Sequence, residues 1–466
     1  MKKRMVGMLL CFAMVCSVTA GCGKTGAKQE AAGNTAAGQE QTKEQTKEQT
    51  ADGSTVGKNK FVKDGTDLSL WTFQALHVGF YTDMADKWNE ANPDKPINLT
   101  VTTGDSSSIQ NKLLVACQSG EGTPDIADIE IGFYASYLKD NYLLPINDVV
   151  EPYKNDVVMS RIEMYGDQKG NYYGIDFHLG ASVAYYNMDI MKEAGIDPAT
   201  IVTWDDYVKA GKTVLEKTGK YMCAVETSDL FLPQMMLLEK GVQYVDEAGK
   251  PNLATKEHAE VIEFIRSMMD EGICEVAPGG GYHSEEWFGH LNGGKVASVM
   301  MPLWYMGRFT DYCKDLDGKI GIYEIPVWKQ GDTREVLQGG TGTSVIKYTK
   351  NEELAKEFLA FAKLSREGNI YEWQKLGFDP IRTEIWKDTK ITQDPENKFI
   401  KYFKTNPFDI LLKNGTDLTA PSIAGSYSAC YSVLVSTTYQ NAFETAKDKD
   451  AAELLKNEQD SVIYDE

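Results

Sequence analysis

The chain has 466 residues, with 68 acidic against 48 basic side chains and a net charge of −20. A balance this acidic repels polynucleotides and anionic headgroups, which excludes a nucleic-acid partner and a basic membrane-binding face. After the first apolar run, no stretch approaches the about 20 apolar residues that a membrane-spanning helix needs.

At the start, Lys2, Lys3 and Arg4 precede an apolar run over 5–18, and Thr19-Ala20-Gly21-Cys22 follows. A cationic start, a short apolar run and small residues before a cut site predict a signal peptide over 1–21. The run, at roughly 14 residues, is too short to stay in a membrane as a spanning helix. Ala20-Gly21-Cys22 resembles the bacterial lipobox, which implies that Cys22 becomes the lipidated first residue. One acyl chain binds marginally, so stable anchoring implies more than one, palmitate among them. Residues 22–58 then read as a disordered tether of Gly, Ala, Gln, Thr, Glu and Lys with a QTKE repeat at 41–50. It holds too little apolar surface to offset its ordering entropy. A lipid at one end and a floppy spacer after it place a globular domain near a membrane and free to swing.

The remaining roughly 400 residues exceed one hydrophobic core and suit two lobes of about 200. The first predicted element is a strand over 66–71, alternating apolar and polar. A helix over 81–90 follows, stopped by Asn92-Pro93, and then a strand over 97–101. A helix over 107–119, broken by Gly120–Pro124, leads to a short strand over 125–129. Strands and helices in alternation predict βαβ units and a largely parallel sheet, hence an α/β fold. The pattern recurs: a strand over 183–186, helices over 205–217 and 257–270, a strand over 296–301 and a helix over 352–364.

Of eight cysteines, Cys11 and Cys16 leave with the signal and Cys22 takes lipid. Cys117, Cys223, Cys274, Cys313 and Cys430 are far apart and form no CxxC, so zinc and iron–sulfur sites fail on spacing. They read as small buried hydrophobes rather than as disulfides. His283 and His290 match no helical metal spacing. No metal or cofactor is expected.

Several blocks together resemble the bacterial extracellular solute-binding proteins of the sugar-transporter class, the group containing maltose-binding protein. They are Lys112-Leu113-Leu114 with Gly122-Thr123-Pro124-Asp125-Ile126, and Gly170–Ile175 with Tyr185-Tyr186-Asn187-Met188-Asp189. Thr203-Trp204-Asp205-Asp206-Tyr207, Gly294–Ala297 with Trp304, Lys350–Leu359, and Gly377–Arg382 follow in the family's order. The resemblance implies the two-lobe periplasmic-binding-protein-like fold, type II, with a ligand cleft between lobes. By that analogy lobe one is 62–176 plus 340–385, and lobe two is 177–339 plus 386–466. It implies a monomeric lipoprotein on the outer face of the cytoplasmic membrane. Such a protein captures a sugar or oligosaccharide and delivers it to the permease subunits of an ABC importer. Ligand bridging both lobes favours the closed state.

A sugar site needs flat aromatics for apolar sugar faces and polar groups for hydroxyl rims. Aromatics are plentiful, with 24 Tyr and 8 Trp. Trp71 and Gln74 close the first strand at the C-terminal edge, where open α/β sheets bind ligands; Trp71 serves equally as a core lid. Glu130, two residues after Asp128 at a strand end, faces the cleft by analogy or is simply solvated. Asp176 and His178 follow the Tyr-Gly-Ile block, where the family usually has Pro and often Asp. His178 either donates to a hydroxyl or is structural. Trp304, with Tyr305 beside it, follows a strand, and the family's Trp there stacks on ligand. Gly339 and Gly340 resemble the family's Gly-rich return to lobe one, where bare backbone can approach ligand; no Gly-Lys-Ser/Thr follows, so this is not a P-loop. Trp287, Trp373, Tyr427 and Tyr431 are lesser candidates. A secreted carbohydrate-active enzyme is the alternative, since a glycosidase needs only two well-placed carboxylates. A structural or adhesive lipoprotein fits the two-lobe pattern less well.

Overall fold

The computed structural model describes residues 48–49 and 55–464, except 333, 335 and 417. The expected signal, Cys22 and most of the expected tether lie outside the described residues.

The first sheet holds β1 (Glu48–Gln49), β2 (Thr55–Lys58), β3 (Thr66–Thr72), β4 (Ile97–Thr103), β5 (Ile126–Glu130) and the returning β11 (Thr341–Val345), in the order β1-β2-β4-β3-β5-β11. Its centre is parallel, with β3 between β4 and β5, and both β2 and β11 join antiparallel. The disordered tether expected over 22–58 therefore fails at both of its described pieces, Glu48–Gln49 and Thr55–Lys58, which pair as strands. Thr55–Lys58 lacks apolar alternation, and it pairs along the edge through backbone hydrogen bonds to β4.

Helix α1 spans Ala75–Ala91, six residues longer at its start than the expected one. Gly79 and the aromatic or β-branched Val78, Phe80 and Tyr81 have weak helix propensity. Burial of His77, Val78, Phe80, Tyr81 and Met84 against the sheet decides the outcome. Helix α2 (Ser106–Ser119) is capped by Asp105, whose carboxylate accepts from the Ser108 N–H, and ends at left-handed Gly120. Helix α3 (Ile131–Lys139) follows β5 directly. One core, including Leu68, Leu70, Phe80, Leu99 and Phe358, fills the space between this sheet, α1 and the helix Glu352–Leu364.

The second sheet is β6 (Ser182–Asn187) between β9 (Ser298–Pro302) and β10 (Ile320–Tyr323), antiparallel throughout. A short parallel pair, β7 (Cys223–Val225) and β8 (Cys274–Val276), sits alongside, tied on where Tyr221 O accepts from the Ala297 N–H. The expected parallel arrangement thus holds only at the centre of the first sheet, for β4-β3-β5, and not in the second. Every residue of β6 is buried, and a strand covered on both faces reads alike whichever way its neighbours run. The helices Trp204–Thr218 and Lys256–Asp270 cover one face. The first begins with a capping box between Thr203 and Asp206, a local signal visible in the sequence.

The chain passes from the first sheet to the second through 176–181 and returns through 337–341. The two crossings run side by side: Gln338 N–H donates to Gly180 O, and Asp379 holds Gly180's neighbours, its Oδ2 accepting from Ala181 N–H at 2.9 Å. Asp379 is 1% exposed and its Oδ1 has no partner. Burial pushes its carboxyl up to about 7 from 3.8. The folded state therefore binds more protons than the unfolded chain across that window, and this group's contribution to stability is lost as pH rises through it. Asp379→Asn cannot titrate. Thermal melts from about pH 4 to about pH 8 should show the variant losing less stability than the parent as pH rises.

Candidate functional site

A cavity of about 260 Å³ lies at the C-terminal ends of β3 and β5 and beside the end of β9. The first sheet contributes Phe73 and Gln74 after β3, His77 from α1, Ser106 from α2, Glu130 from the end of β5, and Gly339, Gly340 and Thr341 leading into β11. The opposite side is built from Asp229, Phe231, Gln234, His283, Trp304 and Arg308, and Tyr427 and Tyr431 close it from the C-terminal segment.

Trp304 is half-buried in a single 3-10 turn, Leu303–Tyr305, that follows β9. Its ring lies parallel to His283, with centroids 5.9 Å apart and planes 12° apart, and His178 is stacked at 6.0 Å. Phe231 meets it edge-on at 5.5 Å. The indole Nε1–H donates to Gln338 O at 3.3 Å, which fixes the ring's tilt. Loss of water on burial is the first cause lowering all three nearby imidazoles. His178 and His283 drop to about 3, although Asp176 pulls His178 upward, and Arg308 adds to the lowering at His283. His77 is lowered too, despite its 2.9 Å hydrogen bond to Asp128. At neutral pH the platform's surroundings are thus uncharged rings, each able to donate and to accept.

The glycine pair needs its identity. Gly339 has φ of 67° and Gly340 of 151°, regions that favour glycine. A Cβ on Gly339 would sit 3.0 Å from the Trp304 indole nitrogen. A Cβ on Gly340 would collide with the Tyr165 hydroxyl and lie 2.7 Å from the Asp176 carboxylate. Beneath the pair is an ion pair with no exposure, Arg161 to Asp176 at 2.9 Å. Arg161 also donates to the carbonyls of Gly339 and His178. Asp176 accepts from Tyr165 Oη at 2.6 Å and from Thr341 N–H at 3.3 Å. Burial alone would raise the Asp176 carboxyl, yet the Arg161 charge holds it below its usual range.

The far end of the cavity is acidic. Glu130 accepts from Tyr431 Oη at 3.3 Å and from Ser106 Oγ at 3.4 Å. Among the described residues, Asp229 accepts only from the N–H of its neighbour Leu230. Burial raises both carboxyls, and Glu130 pushes Asp229 further, to about 7. Tyr431 reaches Glu130 because Gly132 leaves room: a Cβ there would sit 2.6 Å from the tyrosine ring.

Of the residues singled out from sequence, Gln74, Glu130, His178, Trp304, Gly339 and Gly340 line this cavity, as do the lesser candidates Tyr427 and Tyr431. Trp71, Asp176 and Tyr305 do not. The Trp71 ring lies under Lys112 Nζ, 5.0 Å away, because side chains alternate along a strand. Asp176 acts one layer back, through Arg161 and the crossing backbone. Tyr305 is buried with its hydroxyl donating to Tyr282 O at 2.6 Å and accepting from Trp287 Nε1 at 3.0 Å. Trp287 and Trp373 are core residues at 0% and 1% exposure. Asp128, paired in sequence with Glu130, is taken by His77, Tyr81 and Thr343 in the interior. Asp229, Phe231 and Arg308 were not singled out from sequence, and His283 was weighed there only as a metal ligand. Each sits in a loop or helix whose approach to the cavity depends on tertiary packing. Cys117, Cys223, Cys274, Cys313 and Cys430 are buried and free. Among the described residues no His, Cys, Asp and Glu cluster suits a metal ion, and no helix is long and apolar enough to cross a membrane.

Two α/β layers joined by paired crossings, with an aromatic platform and polar rims between them, define a cleft-type binding protein. The family model for bacterial extracellular solute-binding proteins matches residues 74–367, and the chain belongs to that family. It is 43% identical over 376 residues to an arabinooligosaccharide-binding protein of Halalkalibacterium halodurans, covering 79% of this chain and 84% of the relative. It is 42% identical to the arabinooligosaccharide-binding protein of Bacillus subtilis, covering 77% and 83%. Among solved structures it resembles an ABC-transporter-associated binding protein of B. animalis subsp. lactis Bl-04 in complex with β-1,6-galactobiose. That likeness has a TM-score of 0.70 at 18% identity, over 86% of this chain and 97% of that one. The fold is the two-lobe, type II one. The family is one of non-enzymatic transport components, and the alternative of a secreted carbohydrate-active enzyme is not supported.

Proposed function

We propose that this protein captures a short arabinooligosaccharide in the cavity on Trp304 and delivers it to an ABC importer. The observation that carries the reading is the half-exposed Trp304 indole beside two neutral imidazoles, in a cavity that also holds the Glu130 and Asp229 carboxyls. A flat apolar face and a ring of acceptors suit a sugar's apolar face and hydroxyl edge. The names of the two relatives supply the sugar. The test is a thermal-shift panel of arabino-, malto-, xylo- and galacto-oligosaccharides. Arabinooligosaccharides should raise Tm most; a flat response to every sugar would contradict the reading.

Lobe one is 62–176 with 340–385, and lobe two is 177–339 with 386–466. Ligand bridging Glu130 and Gly340 on one side and Trp304 on the other favours the closed arrangement. Solution scattering should show a smaller radius of gyration with saturating arabinotriose than without it. An unchanged radius would count against closure.

The protein is a monomer held on the outer face of the cytoplasmic membrane by lipid on Cys22. Ala20-Gly21-Cys22 supports this placement. Cys22→Ala should move the protein from the membrane fraction to the medium, and retention of the variant in membranes would sink the lipid assignment.

A further inference from the structure

Arg308 lines the cavity from the helix Met306–Tyr312, one turn beyond Trp304. It is half-buried, and among the described residues no carboxylate stands within ion-pair distance of it. Every other partly or fully buried arginine of the second sheet's surroundings has a fixed acceptor. Arg334 holds Glu324 at 2.8 Å, and Arg266 holds Glu263 and three backbone carbonyls. A guanidinium carries five N–H donors in a rigid fork and no acceptor, so facing the cavity unpaired leaves it to be satisfied by what enters. The neighbouring His77 and His283 feel its charge. Asp229 is the converse case. Among the described residues its one fixed hydrogen bond is to its own neighbour, which leaves acceptor capacity toward the cavity.

We propose that Arg308 and Asp229 are the residues by which this site chooses among sugars. Arg308 donates its fork to adjacent oxygens of the unit lying on Trp304. Asp229 accepts from a hydroxyl of the next unit, across from Glu130. The cavity is then polarised, with donors at the tryptophan end and acceptors at the other, and this fixes the direction in which an oligosaccharide lies. Stacking on Trp304 and Phe231 is tolerant of stereochemistry, because any pentose ring offers a face. A planar fork and a carboxylate are not tolerant, because they need oxygens at set positions. The inference rests on the sugar reading given above and names the discriminating groups within it.

The experiment is calorimetric titration of the full-length protein, Arg308→Met, Arg308→Lys and Asp229→Asn with arabinotriose and with xylotriose, alongside the melting temperature of each. The parent protein should prefer arabinotriose. Arg308→Met and Asp229→Asn should each weaken arabinotriose by about tenfold or more and shrink the preference over xylotriose. Arg308→Lys keeps the charge without the fork and should recover little. A lowered Tm with an unchanged preference would overturn the proposal, since that is what a packing role alone produces. So would wild-type affinity in both Arg308→Met and Asp229→Asn, or a parent that does not discriminate between the two trisaccharides. A parent that binds neither, nor any other sugar, overturns the sugar reading itself and the inference with it.

Discussion

Trp304→Ala is expected to weaken arabinooligosaccharide binding by roughly 30-fold or more, a loss of about 2 kcal/mol, the cost of truncating an aromatic hot spot. The ring lines the cavity and is half-buried, while its neighbours hold it still. His178 and His283 are stacked on it, Phe231 stands edge-on, and Gln338 O takes its N–H. A sugar face laid on it leaves water at roughly 25 cal/mol per Å² of apolar area. Because the residue is only half-buried, the stability loss should fall below the about 3–5 kcal/mol typical of deleting a fully buried tryptophan. Trp287, with 0% exposure, is the control: Trp287→Ala should lower Tm far more and leave the affinity of the folded fraction nearly intact. Titration calorimetry and thermal melts on both variants check the pair.

Arg161→Met should be the most destabilising single change in the crossing region, at about 3–5 kcal/mol, because it leaves a buried carboxylate without its cation. Arg161 and Asp176 both have 0% side-chain exposure, 2.9 Å apart. The arginine also ties the Gly339 and His178 carbonyls, so its loss frees both crossings at once. The pair's contribution is present above the unfolded carboxylate pKa and is lost as pH falls through the lowered folded value. Denaturant unfolding at neutral pH should therefore separate Arg161→Met from the parent by a wide margin, and in strong acid the two should converge. A variant as stable as the parent at neutral pH would show that the ion pair is dispensable.

Much of the fold is written locally. The strand alternation of Leu68 and Leu70, the Asn92-Pro93 stop, the Thr203 capping box and the Glu352–Leu364 helix are readable without any tertiary knowledge. What escapes is what packing decides. Gly79 hides the first two turns of α1, and the all-buried β6 gives no hint that its neighbours run antiparallel. The site divides the same way. Trp304, Gly339 and Gly340 stand at the end of a strand or in a glycine turn, positions that sequence marks. Tyr305, next in the chain, points into the core instead, since neighbours in a 3-10 turn leave on different sides. Asp176 looks like a rim residue and is a foundation. Arg308 and Asp229 lie 79 positions apart, as their numbers give, and only the second lobe's packing brings both to one cavity.

The most direct test of the central claim is a crystal structure of the protein grown with arabinotriose. The sugar should lie between the lobes with one ring on the Trp304 indole and its hydroxyls toward Arg308, Asp229 and Glu130. Arabinotriose at saturating concentration that leaves this cavity empty, or that binds instead in the groove between Leu138, Met164 and Ile423, would contradict the account.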